Sequence, residues 1–498
     1  VTRDPAGLYP SSRDRAEAIG AWLLVAALSA LLIGAVKYGS GDPDSKLYAG
    51  ISARMAQQPI ERWIAPEWWG FWGLDGPYQE HPIGMFVIPA LLARAGYPPE
   101  QAAYAVNGFF QILSFGLMAA VAVAVMTPRD ARALAWVLQL LPIAFVFRVR
   151  ANQEYTMLAG LLLALYATER ARRQPGWVIA MIAGFAWVLF VKGVFAFMVP
   201  LVCAVWLIAR TPSRDDARRS WPVVVAVLAM PAIGALLAVA YDAAYVQVTG
   251  TSFLAAYRAR QVPEGALTGG STIARVGYQL VWYTGRVIWF AFPWSLAAML
   301  LAWRGRAAVA VPFGGRRRDT LDESRLKPDA AGAEDRIGLQ PDATAAGRVT
   351  TAMEAARGRR RPPLHERSEL DTQESELETR GKSGFSRMPL RTDYDLASAP
   401  DNESSNRTVR GAWFALASSA LLVIAFSLAH RKADRYIFPV YFVVAAAGAG
   451  YVMRRSPRFS AVAERLDRPW IPAAAWIVLF LLRLATIGKL PEFTFWRS

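Results

Sequence analysis

Ala21-Trp22-Leu23-Leu24-Val25-Ala26-Ala27-Leu28-Ser29-Ala30-Leu31-Leu32-Ile33-Gly34-Ala35-Val36 carries no charge. Six residues later comes Asp42-Pro43-Asp44-Ser45-Lys46-Leu47-Tyr48-Ala49-Gly50-Ile51-Ser52-Ala53-Arg54-Met55. The first stretch is read as a membrane helix, and Asp44 then falls where that helix meets water. A carboxylate at this boundary can act as a base toward a substrate arriving from the lipid. Few basic residues precede the apolar stretch and no clear cleavage site follows it, so a retained helix is expected rather than a signal peptide.

The same pattern recurs along the chain. Of 498 residues, 54% are hydrophobic, and uncharged stretches approach the ~17–25 residues that cross a bilayer as a helix. The alternation a spanning barrel needs is absent. The expected fold class is therefore an all-α polytopic membrane protein with about eleven (11–13) spans. They are placed near 19–38, 103–126, 131–148, 153–171, 176–191, 194–210, 221–241, 282–303, 412–429, 436–453 and 470–487. The fifth and sixth are short enough to be one broken hairpin.

Arg170, Arg172 and Arg173 follow the fourth span, and Arg210, Arg214, Arg218 and Arg219 the sixth. Arg304 and Arg306 follow the eighth, and Arg454, Arg455 and Arg458 the tenth. All lie on one side if residues 1–18 are cytoplasmic. The outer side then holds a long first loop, 39–102, a second loop, 242–281, and the tail 488–498. In the first loop Leu47, Ile51 and Met55 are spaced as on a helix, and Trp63, Trp68, Trp69, Phe71 and Trp72 suit a membrane–water interface. Ile83 to Ala95 is too short to span and is expected to lie along the interface or re-enter.

Residues 304–411 are rich in Arg, Asp, Glu, Ala and Gly, with Arg316-Arg317-Arg318 and Arg359-Arg360-Arg361. Such a composition cannot bury enough apolar area to order itself, and a disordered cytoplasmic loop is expected. It separates a catalytic region, 19–303, from C-terminal helices, 412–487. The net charge of +16 fits positive-inside topology and anionic headgroups, and no nucleic-acid motif accompanies it. Cys203 is the sole cysteine, which excludes an intrachain disulfide. His81, His365 and His430 are the only histidines.

Ionisable residues at membrane depth or at helix ends are functional candidates. On the expected outer side these include Asp42, Asp44, Lys46, Glu80, His81, Arg148, Arg150, Glu154, Lys192, Arg258, Arg260, His430, Arg431, Lys432 and Arg435. A few carboxylates among many cations suit a phosphate together with an acceptor that must lose a proton. Each residue also has a plainer reading. Asp44 is a favoured N-cap type for a helix starting at Ser45, Lys192 can snorkel, and Glu154 can face solvent at a helix mouth.

Asp44-Ser45-Lys46-Leu47-Tyr48-Ala49-Gly50-Ile51-Ser52 resembles the Asp-x-x-x-Tyr-Ala-x-Ile-Ser/Ala stretch of bacterial aminoarabinose transferases acting on lipid A. Protein O-mannosyltransferases carry a related acidic motif. Glu80-His81-Pro82-Ile83-Gly84 resembles the Glu-Lys-Pro-Pro-Leu of the former and the His-Pro-Pro-Leu-Gly of the latter, with Ile83 where the families have a second proline. Lys192-Gly193 resembles a Lys-Gly that follows a membrane helix in these enzymes. Arg435-Tyr436-Ile437-Phe438-Pro439 is similar to their late Arg-Tyr-x-x-Pro. These are glycosyltransferases of the GT-C class, which use polyprenyl-phosphate sugars.

The resemblance implies inverting transfer at the outer face of a bacterial-type inner membrane, with Asp44 as base. Lys192, Arg431, Lys432, Arg435 and Arg150 are then expected on the donor phosphate, with Arg148 behind. Tyr48, Glu80, His81 and Tyr436 are expected on the substrates. Glu80 and His81 orient the acceptor, bind phosphate or hold a divalent metal. With one histidine near the site no cofactor is expected to be required. The implied partners are a polyprenyl-phosphate sugar, a lipid, glycan or protein acceptor, and membrane lipids. The alternatives are a transporter or flippase for a lipid-linked or anionic substrate, and a scaffold acting through 304–411. A transporter commonly shows internal repeats, and none is evident.

Overall fold

The computed structural model describes residues 42–309 apart from 69, 71–72, 127, 149, 153, 211–219 and 262–269. It also describes 402–427, 434–455 and the scattered positions 459, 461, 474, 477, 478 and 481. The expected spans at 19–38 and 470–487, most of the acidic–basic segment, His430, Arg431 and Lys432 lie outside these residues.

The described chain is helical, with a lone β-bridge between Glu67 and Pro77. The first outer loop supplies α1 (Pro43–Gln57) and α2 (Gly84–Arg94). There follow α3 (Pro99–Ala122), α4 (Pro128–Gln139), α5 (Pro142–Arg148), α6 (Glu154–Ala171), α7 (Trp177–Lys192), α8 (Met198–Arg210) and α9 (Trp221–Thr249). The remainder are α10 (Phe253–Gln261), α11 (Gly270–Phe290), α12 (Trp294–Val309), α13 (Asn402–Ser427) and α14 (Phe438–Arg455). A helix thus stands at the place of each span expected between 103 and 453.

Two expected spans are not continuous. The segment at 131–148 divides into α4 and α5, and Pro142 opens the second piece, as suits a residue without an N–H. The segment at 282–303 bends by 114° between α11 and α12. Pro293 at the bend cannot donate to the helix ladder and disfavours helical geometry in the residue before it. Helices also reach into the segment expected to be a loop, to Val309 on one side and from Asn402 on the other. Residues 310–401 between them lie outside those described.

Among the described residues four stretches are long and apolar enough to cross a bilayer, Pro99–Ala122, Trp177–Arg210, Trp221–Thr249 and Arg435–Met453, and the bent pair α11–α12 makes a fifth if it is one span. The second, 34 residues long, doubles back. Lys192, at its middle, meets Glu154 at the start of α6, whereas Arg210, at its end, meets Glu169 near the end of α6. It is a hairpin of α7 and α8 turning through Gly193–Phe197. Gly193 allows the turn because its φ is +58° and because a Cβ there would lie 2.7 Å from the Tyr257 hydroxyl. Side chains rarely tolerate either condition.

The ends of α6 define two polar layers. At one end Glu169 accepts hydrogen bonds from Arg172, Arg210 and the Trp206 indole, and Arg172 caps the Arg210 carbonyl. The other end starts at Glu154. Fifteen residues at ~1.5 Å rise separate the layers by about 22 Å, within a hydrocarbon core of ~30 Å. Between them α3, α6, α7, α8, α13 and α14 pack through an apolar core containing Phe115, Trp136, Phe185, Val188 and Tyr441. The molecule is a multi-pass helical membrane protein.

Candidate active site

The site is built where α1 meets the α5–α6 turn. Asp42 is the N-cap of α1, Pro43 takes the first turn, and the Asp42 carboxylate accepts from the Ser45 amide at 3.1 Å. Asp42 therefore does the capping, as the proline at the first helical position permits, and Asp44 is left to project from the first turn. Ser45, fully buried, joins this end to the core. Its hydroxyl donates to Asp42 at 2.5 Å, accepts from the Ala151 amide at 3.0 Å and lies 2.7 Å from the Asn152 carboxamide. The near atom of Asn152 is Oδ1, an acceptor like the Asp42 carboxylate, so the single Ser45 hydroxyl proton is shared between two acceptors. Asn107 holds the same turn by donating to the carbonyls of Phe147 and Arg150.

Asp44 Oδ2 accepts from Arg435, which stands just before α14 and is 391 positions away in sequence. Lys192, at the tip of the α7–α8 hairpin, pairs with Glu154 Oε1 at 2.8 Å. Side-chain exposure is 5% for Lys192 and 0% for Glu154, so the expectation of a solvated Glu154 is corrected, and snorkelling is excluded for Lys192. Glu154 opens α6 where the charged layer faces the protein interior, and burial there is sustained by the opposite charge. Arg150 pairs with Asp42 at 3.8 Å and lies over the Phe147 ring.

Tyr48, one turn beyond Asp44, is buried and makes edge contacts with His81 and Phe86, with ring centroids 6.0 Å apart in both cases. Burial pushes its hydroxyl well above the ordinary tyrosine range, Arg435 opposes this, and Asp44, Glu154 and Glu80 add to it. Tyr48 is thus a neutral phenol. Burial, then Lys192 and Arg435, push His81 well below the ordinary histidine range, so His81 is a neutral imidazole. These mutual effects place Asp44, Tyr48, Glu80, His81, Glu154, Lys192 and Arg435 around one another. Among the described residues His81 Nδ1, Glu154 Oε2 and Arg435 Nε are buried without a hydrogen-bond partner.

The first loop is clamped to this layer from above. Tyr241 donates to the Ile64 carbonyl at 3.0 Å and Tyr245 to that of Tyr78 at 3.4 Å, while Trp68 packs edge-on against Tyr78. Trp63 and Trp68 are buried and serve packing. At Gly84 a Cβ would sit 2.4 Å from the Phe190 carbonyl oxygen, so α2 starts directly on the α7 backbone. Gly84→Val is expected to lose about 1–3 kcal/mol of stability by overpacking, read as a lowered thermal midpoint in detergent. An unchanged midpoint would show that α2 does not rest on α7.

Of the expected phosphate ligands, Arg148 sits elsewhere. Arg148 is 1% exposed and donates to Gln139 Oε1 at 2.7 Å; it belongs to a buried network with Gln111 and Gln139. Arg150 lies at the rim, on Asp42. Tyr436 stacks on Phe426 with centroids 5.9 Å apart, beneath the Arg435 guanidinium. Arg258 is exposed. Among the described residues no group of three or more His, Cys, Asp or Glu is arranged to hold a metal. Ser45 and Asn152 are the parts of the site that sequence reasoning passed over, and Asp42 and Glu154 were candidates whose roles, as helix cap and as buried partner of Lys192, it did not give. Pro43 was the available signal for Asp42.

The fold is similar to the crystal structure of ArnT from Cupriavidus metallidurans bound to undecaprenyl phosphate. Identity is 15% and the TM-score 0.52, covering 94% of this chain and 65% of that one. This chain thus spans slightly less than two thirds of the ArnT chain. The apo structure of the same ArnT gives a TM-score of 0.45 at 16% identity, over 89% of this chain and 61% of that one. No family model and no curated protein matches the sequence.

Proposed function

We propose that the protein is an inverting glycosyltransferase moving a sugar from a polyprenyl-phosphate donor to an acceptor at the outer face of a bacterial-type inner membrane. The observation that carries this reading is the meeting of Asp44, Tyr48, His81, Glu154, Lys192 and Arg435 at one membrane boundary, from segments far apart in the chain. The charged groups suit the two demands of the reaction. The acceptor's O–H or N–H gives its proton to Asp44 as the heteroatom bonds to the anomeric carbon. The bond from that carbon to the phosphate oxygen breaks, and its electron pair leaves with the polyprenyl phosphate. Arg435 and Lys192 stand ready for the negative charge that develops, with Arg150 at the rim and Arg431 and Lys432 as further cations. Tyr48 and His81, both neutral, and Glu80 orient the reacting groups. The fold adds support, because the ArnT structure with which it is shared holds undecaprenyl phosphate.

The test uses purified protein in detergent, a polyprenyl phosphate carrying a labelled sugar, and lipid, glycan and protein fractions offered in turn as acceptors. Label is expected to pass to one fraction with release of polyprenyl phosphate. Absence of transfer to every fraction from a panel of sugars would overturn the reading. A transporter would leave the donor intact in this assay, since no membrane separates two compartments.

A further inference from the structure

We infer that Arg435 is an exchangeable partner, which the donor phosphate draws away from Asp44, so that donor binding itself releases the base. The inference rests on the reading given under Proposed function and adds an order of events to it. Three cations of this layer are held by carboxylates: Arg150 by Asp42, Lys192 by Glu154 and Arg435 by Asp44. For an arriving phosphate to free a carboxylate, the cation must be one that can leave its partner. Lys192 and Glu154, at 5% and 0% exposure, cannot separate cheaply, because breaking a buried pair leaves a charge stranded in a poor solvent. Arg435 and Asp44, at 20% and 30%, are within reach of a ligand and of water, where an ion pair is weak. Arg435 also has an Nε without a partner among the described residues, and a guanidinium offers a planar fork suited to phosphate oxygens.

The exchange couples the two substrates. With Arg435 on Asp44, Oδ2 is occupied. Once the phosphate holds the guanidinium, Oδ2 is free to accept the acceptor's proton. Binding is therefore ordered, donor before acceptor, because Oδ2 is released to take the proton only once the phosphate holds the guanidinium. A ligand shifts such an equilibrium only through its different affinity for the two arrangements. Removing the competing carboxylate must therefore tighten phosphate binding.

Binding of farnesyl phosphate in detergent micelles, followed by tryptophan fluorescence, tests this in four proteins: wild type, Asp44→Asn, Arg435→Met and the double variant. Inorganic phosphate is titrated in parallel to separate lipid-borne from free phosphate. Asp44→Asn is expected to bind farnesyl phosphate roughly tenfold tighter than wild type, and Arg435→Met more weakly. In the Arg435→Met background the Asp44→Asn gain is expected to shrink below about threefold. Equal gains in both backgrounds would mean simple repulsion between Asp44 and phosphate, and would overturn the exchange, as would no gain at all. If Arg435→Met does not fold, Arg435→Lys takes its place. It keeps a cation without the fork, and the Asp44→Asn gain must then survive; its loss would overturn the inference. Failure of wild type and Asp44→Asn alike to bind farnesyl phosphate would overturn the glycosyltransferase reading itself. Binding that Asp44→Asn leaves unchanged would remove only the exchange. Equal affinity for inorganic phosphate would assign the cation to free phosphate and overturn the donor's role.

Discussion

Glu154→Ala is expected to leave little folded protein. Lys192 would keep its place at the tip of the α7–α8 hairpin, 6% exposed, without the carboxylate that pairs with its ammonium. Removing one member of a buried pair costs about 3–5 kcal/mol, against a total stability of ~5–15 kcal/mol for a typical domain. The hairpin tip would be displaced first, because Glu154 is what ties it to α6. The measurement is the folded fraction after detergent extraction, with unfolding followed by near-ultraviolet dichroism. A second substitution sharpens the result. Glu154→Leu combined with Lys192→Met removes both charges at similar volume, and such replacements of buried pairs are often neutral or stabilising. The double variant is expected to recover the fold and to remain without transfer, since a cation for the leaving phosphate is gone. A Glu154→Ala protein as stable as wild type would refute the buried pair. A double variant with full transfer would remove Lys192 from the mechanism.

The pair also shows where sequence reading stops. Lys192 was legible because a lysine closing an uncharged apolar run is costly and so attracts a functional explanation. Its partner was not, since Glu154 lies 38 positions earlier on another helix, and nothing local distinguishes a carboxylate facing a lysine from one facing water. Arg435 shows the same limit over 391 positions. The helices themselves were legible from apolar runs, because a membrane helix satisfies its backbone internally and needs only length and composition. Their breaks at Pro142 and Pro293 were not read, since the expected spans at 131–148 and 282–303 ran through both prolines, and each marks a discontinuity. Arg148 misled for the opposite reason. Its charge pointed to a ligand, and its role is to hold Gln139 inside the bundle, a contact that only tertiary packing creates.

Asp42 and Asp44, two positions apart, are expected to separate structure from chemistry. Asp44→Asn is isosteric, keeps a hydrogen-bond acceptor for Arg435, and leaves the cap of α1 untouched. Its cost in stability is that of a partly exposed ion pair, at most about 1 kcal/mol. If Asp44 takes the acceptor's proton, transfer falls by the contribution of a general base, roughly 10²–10⁴-fold. Asp42→Ala acts the other way. It removes the cap, worth about 0.5–2 kcal/mol, and the partner of Ser45 and Arg150. The midpoint of unfolding should drop, while transfer by the folded fraction should fall no more than about tenfold, by misplacement of the first turn of α1. Initial rates of sugar release, normalised to folded protein, and thermal midpoints in the same detergent give both numbers for each variant. Asp44→Asn at wild-type rate would end its role as base. Asp42→Ala with a wild-type midpoint and no transfer would move that role two residues back, to the carboxylate now assigned to the cap.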